Sequence, residues 1–324
     1  MVATTPKLAS PATDLIDTSG RRMRKLRISV TAGCNLRCLY CMTPDQANPV
    51  HEDLLSPSEI GALAGHLVDM GIDALRLTGG EPLMRRDIRE ILQVLAPLEA
   101  SKGLTTNGHF LSKHAVDLAR TGFDSVNVSL DSLDSDNFRR LARGGSLKAT
   151  LEGIAAARSE GLRVKINCVA MKGLNDHEIP AFHDLSTRTG IEVRFLELMK
   201  VGPGRALHER HFLPADRIVA TLEHHAGPLL ELPASTDATA FRRRSTSGAV
   251  LGFMASESLP FCGNCSRLRL SAKGILHPCL FKDDGIDLRG ATPEEIRERT
   301  RSILPLKPRE RIPEIARAMH AIGG

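Results

Sequence analysis

Six of the chain's seven cysteines fall into two tight groups of three. Cys34-Asn-Leu-Arg-Cys38-Leu-Tyr-Cys41 has the spacing C-x3-C-x2-C, and Cys262-Gly-Asn-Cys265 followed by Cys279 has the spacing C-x2-C-x13-C. Such grouping in a chain with no secretory signal points to metal rather than disulfides. Three thiolates can hold three irons of a 4Fe–4S cluster and leave the fourth iron open. Structural zinc is the plain alternative, but tetrahedral zinc takes four protein ligands and neither loop offers a nearby fourth. Electron transfer alone needs no open iron, so the open position points to a ligand arriving from outside. Cys168, in the middle of Val164-Lys165-Ile166-Asn167-Cys168-Val169, reads instead as a buried core thiol.

Other residues share the character of a site. Gly79-Gly80 in Gly79-Gly80-Glu81-Pro82 allows close approach of backbone to a ligand, although alone such a pair reads as a turn. Arg267 and Arg269 lie two apart, on one side of a strand, and arginine suits phosphate because its fork binds bidentately and never loses charge. Lys165 sits in an otherwise apolar strand, where a buried lysine is costly unless an anion meets it.

The elements that must position these groups alternate. Strands read at Leu26–Val30, Asp73–Thr78, Lys102–Thr105, Ser125–Leu130, Arg163–Val169 and Ile191–Glu197. Helices read at Asp87–Leu98, Ser112–Thr121, 134–142, 147–160 and 176–189, with a helix start at Ser56-Pro57-Ser58-Glu59. This is a series of βα units and implies a parallel sheet in which chemistry collects at the strand C-terminal ends. Six units make a partial barrel. Gly202-Pro203-Gly204 breaks the pattern, and residues 205–248 carry scattered His and Arg with weak periodicity. The expected organisation is a flexible leader over 1–24, a partial barrel over 25–201 and a second domain over 202–324. Glu314–Ile322 has helical apolar spacing and could carry the chain end back to the barrel.

The first trio, set after a strand and accompanied by Gly79-Gly80-Glu81-Pro82, resembles the signature of the radical S-adenosylmethionine (SAM) superfamily. From about residue 20 to the end, the chain resembles the GTP 3′,8-cyclases that open molybdenum-cofactor biosynthesis. The resemblance rests on Arg27-Ile-Ser-Val-Thr, Tyr40-Cys41-Met42, Leu77-Thr-Gly-Gly-Glu-Pro-Leu-Met-Arg-Arg-Asp, Leu104-Thr-Thr-Asn-Gly, Val128-Ser-Leu-Asp, Val164-Lys-Ile-Asn and Arg194-Phe-Leu-Glu-Leu-Met199. Cys262, Cys265, Arg267, Arg269, Cys279-Leu-Phe and the terminal Ile322-Gly-Gly complete it.

That resemblance implies an α/β fold, an incomplete (β/α)6 TIM-type radical SAM barrel with a C-terminal α+β domain carrying a second iron–sulfur cluster. It implies a lyase with two 4Fe–4S clusters, one ligated by Cys34, Cys38 and Cys41, the other by Cys262, Cys265 and Cys279. Tyr40, Gly80, Ser129 and Met199 would contact SAM, and Arg27, Arg76, Thr105, Lys165, Arg267, Leu268 and Arg269 would contact GTP. Arg194 and Asn107 lie in matching motifs. A deoxyadenosyl radical would take the 3′ hydrogen of GTP, and the ribose radical would attack C8 of guanine. Gly323 and Gly324 would enter the site as a catalytic tail. Implied partners are an electron donor such as flavodoxin or ferredoxin, and a downstream cyclic pyranopterin monophosphate synthase. The chain departs from the family at Ala32-Gly33, Ala74, Ser266 and Lys273, which leaves room for a paralogue with another substrate.

Composition narrows the alternatives. With Trp absent and a single Tyr, an aromatic nucleic-acid platform is disfavoured. A net charge of +5 suits an anionic small substrate, though it is ordinary for a globular chain. No apolar run has the length of a membrane span, so the expected location is the cytoplasm, as monomer or homodimer. Another radical SAM enzyme with an auxiliary cluster, such as a peptide maturase, would be expected to carry a peptide-recognition extension and more C-terminal cysteines. A non-catalytic metal- or GTP-binding module has no use for Gly79-Gly80-Glu81-Pro82, and no Walker-type loop is present.

Overall fold

The computed structural model describes residues 15–43, 53–234, 237–317 and Met319. The alternation resolves into β1 (Lys25–Ser29), α1 (Pro57–Asp69), β2 (Ala74–Thr78), α2 (Ile88–Leu95), β3 (Ser101–Thr106), α3 (Leu111–Arg120) and β4 (Ser125–Ser129). Next come α4 (Ser135–Ala142), α5 (Leu147–Ser159), β5 (Arg163–Ala170), α6 (Ile179–Thr189) and β6 (Glu192–Glu197). After them follow α7 (Gly204–His211), α8 (Ala215–Ala226), β7 (Leu230–Leu232), β8 (Phe241–Arg244), β9 (Val250–Met254), β10 (Arg267–Leu270), β11 (Ile275–His277), β12 (Ile286–Asp287) and α9 (Pro293–Ile303).

Local chemistry explains the boundaries. Ser56 caps α1 by accepting from the Glu59 amide while the Glu59 carboxylate accepts from the Ser56 amide, and Pro57 occupies the first turn. On β5, Val164, Ile166, Cys168 and Ala170 are buried, whereas the alternate Lys165, Asn167 and Val169 are half-buried. Every strand from β1 to β6 thus has one face committed to apolar packing and the other free to carry chemistry.

All strands join one sheet in the order β12-β11-β10-β1-β2-β3-β4-β5-β6-β9-β8-β7. Pairing is parallel without interruption from β10 through β1–β6 to β9, and antiparallel in the hairpins at both edges. The strands beyond residue 202 therefore extend both sides of the partial barrel's own sheet, β10 beside β1 and β9 beside β6. No helix among the described residues is long and apolar enough to cross a membrane.

Three stretches differ from the sequence reading. Residues 205–248, weakly periodic in sequence, contain α7 and α8; α7 buries only Gly204, so it carries no apolar stripe to read. Residues 15–24, expected as part of a loose leader, pack: Leu15 and Met23 are buried, Ile16 bridges Arg22, and Asp17 pairs with a buried Arg21 at 2.6 Å. Residues 1–14 lie outside the described residues. Of the helix expected over Glu314–Ile322, residues 318 and 320–322 lie outside the described residues; at Ile315 the chain forms an isolated bridge, its amide donating to Lys200 O (3.1 Å) and its carbonyl accepting from Gly202 N (3.0 Å).

Glu197, at the end of β6, fastens three segments. Its buried carboxylate accepts from the amides of Ala215 (2.8 Å), Glu257 (2.8 Å) and Ser258 (2.9 Å), and from the Ser258 hydroxyl. Glu197→Ala leaves these donors without a partner in the interior and is expected to cost roughly 3 kcal/mol of stability. Arg24→Ala removes only an exposed pair with Asp73 at 2.7 Å and is expected to cost under about 1 kcal/mol. Urea unfolding of both variants side by side checks the contrast; equal losses would contradict it.

Candidate active site

The C-terminal ends of the parallel strands open into one cleft of about 290 Å³ that both cysteine trios line. The first trio rides on the loop after β1. That loop is held by Arg37 N to Ala142 O (2.9 Å) and Leu39 N to Leu141 O (3.0 Å), and turns back where the Cys41 amide meets Cys38 O (2.9 Å). Asn107 donates to Asn35 Oδ1 (2.8 Å) and, more weakly, to Cys34 Sγ (3.8 Å).

The glycines after β2 have a definite reason to be glycine. Gly80 N donates to Thr31 O (2.7 Å) and Glu81 N to Gly33 O (2.8 Å), so the two loops touch backbone to backbone. A Cβ on Gly79 would sit 2.6 Å from Thr31 O, and one on Gly80 would sit 2.3 Å from Gly33 O. The close approach that requires glycine is to the cysteine loop itself. Glu81 is fully buried and accepts from Thr106 Oγ1 (2.8 Å), Leu83 N (3.0 Å) and Asn107 N (2.7 Å). Burial outweighs these bonds and pushes its pKa up to about 7.

Tyr40, within the first trio's loop, donates to Asp131 Oδ2 at 2.7 Å, while Asp131 Oδ1 accepts from Val169 N at 2.8 Å. Burial raises Asp131 to about 6. Burial pushes Cys34 up to about 11, and burial with Asp131 and the neighbouring thiols raises Cys38 well above the usual thiol range. At the second trio, burial and the neighbouring Cys279 and Cys265 likewise raise Cys262, whereas Cys265 moves the other way. Burial would raise Cys265, but Arg267 and Lys307 overcome it and bring the thiol down to about 5.

Among the described residues, neither trio has its three sulfurs within 4.8 Å of one another. A single zinc ion would draw tetrahedral thiolates to about 3.8 Å apart, given Zn–S bonds of about 2.3 Å. Neither set of three sulfurs is drawn together as a single zinc ion would require. His183, Asp184 and His225 do form such a tight group, on α6 and α8, but it lies outside the cleft lining, with Asp184 Oδ1 2.9 Å from both imidazoles.

Between the trios stands a cluster of guanidinium groups. Register aligns Arg27 of β1 with Arg76 of β2 on one side and Arg269 of β10 on the other. Burial and the neighbouring Arg269, Arg267 and Arg76 push Arg27 well below its usual range. Burial and like charge lower Arg76 and Arg269 each to about 10. Gly103 gives Arg76 room, since a Cβ there would lie 2.4 Å from its guanidinium, which donates to Leu104 O at 3.0 Å. The oxygens Thr78 Oγ1, Thr105 Oγ1 and Asn167 Oδ1 are buried without a hydrogen-bond partner, and their residues line the cleft.

Most residues singled out in the sequence meet in this cleft: the six cysteines, Tyr40, Gly80, Ser129, Met199, Arg27, Thr105, Arg267 and Arg269, with Arg194 and Asn107. Three do not line it. Arg76 lies beneath, over Gly103. Lys165 meets its anion within the protein, Glu192 at 2.9 Å, which also takes Arg194 at 2.5 Å. Leu268 is wholly buried on the opposite face of β10 from Arg267 and Arg269. Gly323 and Gly324 lie outside the described residues. Sequence reading missed Asn127, Lys307 and Arg311 as cleft residues. The last two come from irregular chain after α9, where no periodicity marks a face; Asn127 could have been found from its alternation with Ser129.

Comparison with known proteins places these features. Residues 28–186 match the radical SAM superfamily and residues 191–311 match the molybdenum cofactor synthesis C family. A GTP 3′,8-cyclase from Synechocystis is 41% identical, covering 96% of this chain and 95% of that protein. Another from Thermodesulfovibrio yellowstonii is 40% identical, covering 95% and 99% respectively. Among solved structures, Streptococcus suis SuiB bound to precursor peptide SuiA superposes with a TM-score of 0.66 at 15% identity, covering 90% of this chain and 67% of that chain, a likeness of fold alone. With two relatives of this name aligned over nearly their whole lengths, the chain belongs to the GTP 3′,8-cyclase family of the radical SAM superfamily.

Proposed function

We propose that this chain converts GTP to (8S)-3′,8-cyclo-7,8-dihydroguanosine 5′-triphosphate, the first step of molybdenum-cofactor biosynthesis. The observation that carries the reading is a single cleft in which two three-thiol sets flank a cluster of arginines. Both sets fit iron–sulfur clusters by donor chemistry: three thiols each, all six lining one cleft. Cys34, Cys38 and Cys41 would hold one cluster, and Cys262, Cys265 and Cys279 the other. When bound, the first cluster supplies the electron that splits SAM to a 5′-deoxyadenosyl radical, and the open iron of the second offers a ligand position for the substrate.

The chain's own residues bind and orient. Crowded guanidinium groups are costly until an anion of several charges meets them. The triphosphate is that anion for Arg27, Arg267 and Arg269, which form one side of the cleft, and the buried Thr105 hydroxyl gains a partner from the nucleotide. Arg76 braces the cluster from beneath through its bond to Leu104 O. Arg194 lines the same cleft and shares Glu192 with Lys165. On the other side Tyr40, Gly80, Ser129 and Met199 contact SAM, with Tyr40 fixed by Asp131. Holding ribose and SAM in one orientation matters because a misplaced radical reacts elsewhere. The family resemblance gives Gly323-Gly324 the role of a catalytic tail without side chains. A flavodoxin or ferredoxin delivers the electron, and a cyclic pyranopterin monophosphate synthase consumes the product.

Anaerobic turnover with SAM, a reductant and each nucleoside triphosphate in turn tests the assignment; product from GTP alone is expected, and equal turnover of ATP would overturn it. Reconstituted protein should bind about eight irons per chain, falling to about four when Cys262, Cys265 and Cys279 are replaced by alanine. In Cys279→Ala, 5′-deoxyadenosine should still form while cyclised nucleotide disappears. Deleting Gly323-Gly324 should leave iron content and GTP binding intact while cyclisation collapses, and full activity of the truncated chain would refute a role for the tail.

A further inference from the structure

The segments that carry the second cysteine trio have little regular structure of their own: a short turn at Cys262–Asn264, the residues leading into β10, and the loop after β11. Two buried cations from outside that stretch tie them together. Lys307, only 4% exposed, donates through Nζ to Arg267 O at 2.6 Å and to Pro278 O at 2.8 Å. One carbonyl lies two residues beyond Cys265; the other immediately precedes Cys279. Arg21, 8% exposed, donates to the carbonyl of Cys262 itself at 2.6 Å, and to Pro308 O (2.8 Å) and Lys307 O (3.2 Å). The Arg21 guanidinium is aimed by Asp17, whose Oδ2 accepts from Nε at 2.7 Å. All three ligand-bearing segments are thus hydrogen-bonded to one of two cations, and the cations are joined through the Lys307 carbonyl.

We propose that Arg21 and Lys307 form a cationic clamp that sets the spacing of the second cysteine trio and raises the reduction potential of the cluster held there. The proposal rests on the reading that this trio ligates a cluster. Charge-assisted bonds to carbonyls are among the stronger hydrogen bonds, and groups one step behind metal ligands govern both affinity and tuning. Reduction adds negative charge to the cluster, so a fixed positive charge nearby stabilises the reduced form and shifts the potential upward. Lys307 lines the same cleft as the three cysteines, so its charge lies beside the cluster they would hold.

The test uses the full-length chain with Cys34, Cys38 and Cys41 replaced by alanine, so that only the second site reports. Iron content, resistance to a chelator and the midpoint potential from an electron-paramagnetic-resonance titration are read. Lys307→Arg should keep the parent potential. Lys307→Gln keeps a donor but loses the charge, and its potential should shift lower; complete loss of its cluster from a natively folded chain would equally show dependence on the charge. Lys307→Met and Arg21→Met should release iron to the chelator roughly tenfold more readily. A parent-like potential in Lys307→Gln, or parent-like iron retention in both Met variants, would overturn the clamp. A triple-alanine parent that binds no iron, beside a wild-type chain that binds about four, would instead refute the second cluster.

Discussion

Like charges crowded at one end of a parallel sheet are the condition that the rest of this structure accommodates. Arg27, Arg76 and Arg269 stand on three adjacent strands at matched register, and each is pushed below its usual range by burial first and then by nearby guanidinium groups: Arg269, Arg267 and Arg76 for Arg27, Arg194 for Arg76, and Arg267 for Arg269. Such an arrangement is unfavourable in isolation. It persists because the opposite face of each strand is committed to a continuous apolar core that leaves no register free to slip. The remaining cations are quenched locally where the protein can manage it, Lys165 and Arg194 by a shared Glu192. Arg27, Arg267 and Arg269 line the cleft and give it positive character.

The two halves of the site depend on each other through the sheet. The second trio is delivered by β10, whose place beside β1 is set by parallel pairing from Lys25–Arg267 to Ile28–Leu270. That pairing puts Arg267 and Arg269 on the same face as Arg27 and brings the second trio over the cleft into which the first trio also faces. Glu197 performs the corresponding service at the other edge, fastening the end of β6 to α8 and to the loop beyond β9. The partial barrel and the C-terminal segment therefore share one continuous framework. Loosening either edge would move one thiol set relative to the other.

Much of this was legible in the residues. The cysteine spacings, the βα alternation and the paired arginines are local patterns, set by side-chain chemistry and by periods of two and 3.6, so the sequence alone determined the class of fold, the two cysteine trios and the positive character of the cleft. It also carried the family motifs that join these parts. Tertiary structure alone decided what depends on contacts between distant segments. It turned Lys165 toward Glu192, set Leu268 into the core, made Gly79 and Gly80 the contact between two loops, and paired Ile315 with Val201 in an isolated bridge. It likewise brought Arg21 and Lys307, 286 residues apart, to the same cysteine loop. No local period encodes such meetings, because a backbone carbonyl's partner is fixed only when the whole sheet has closed around it.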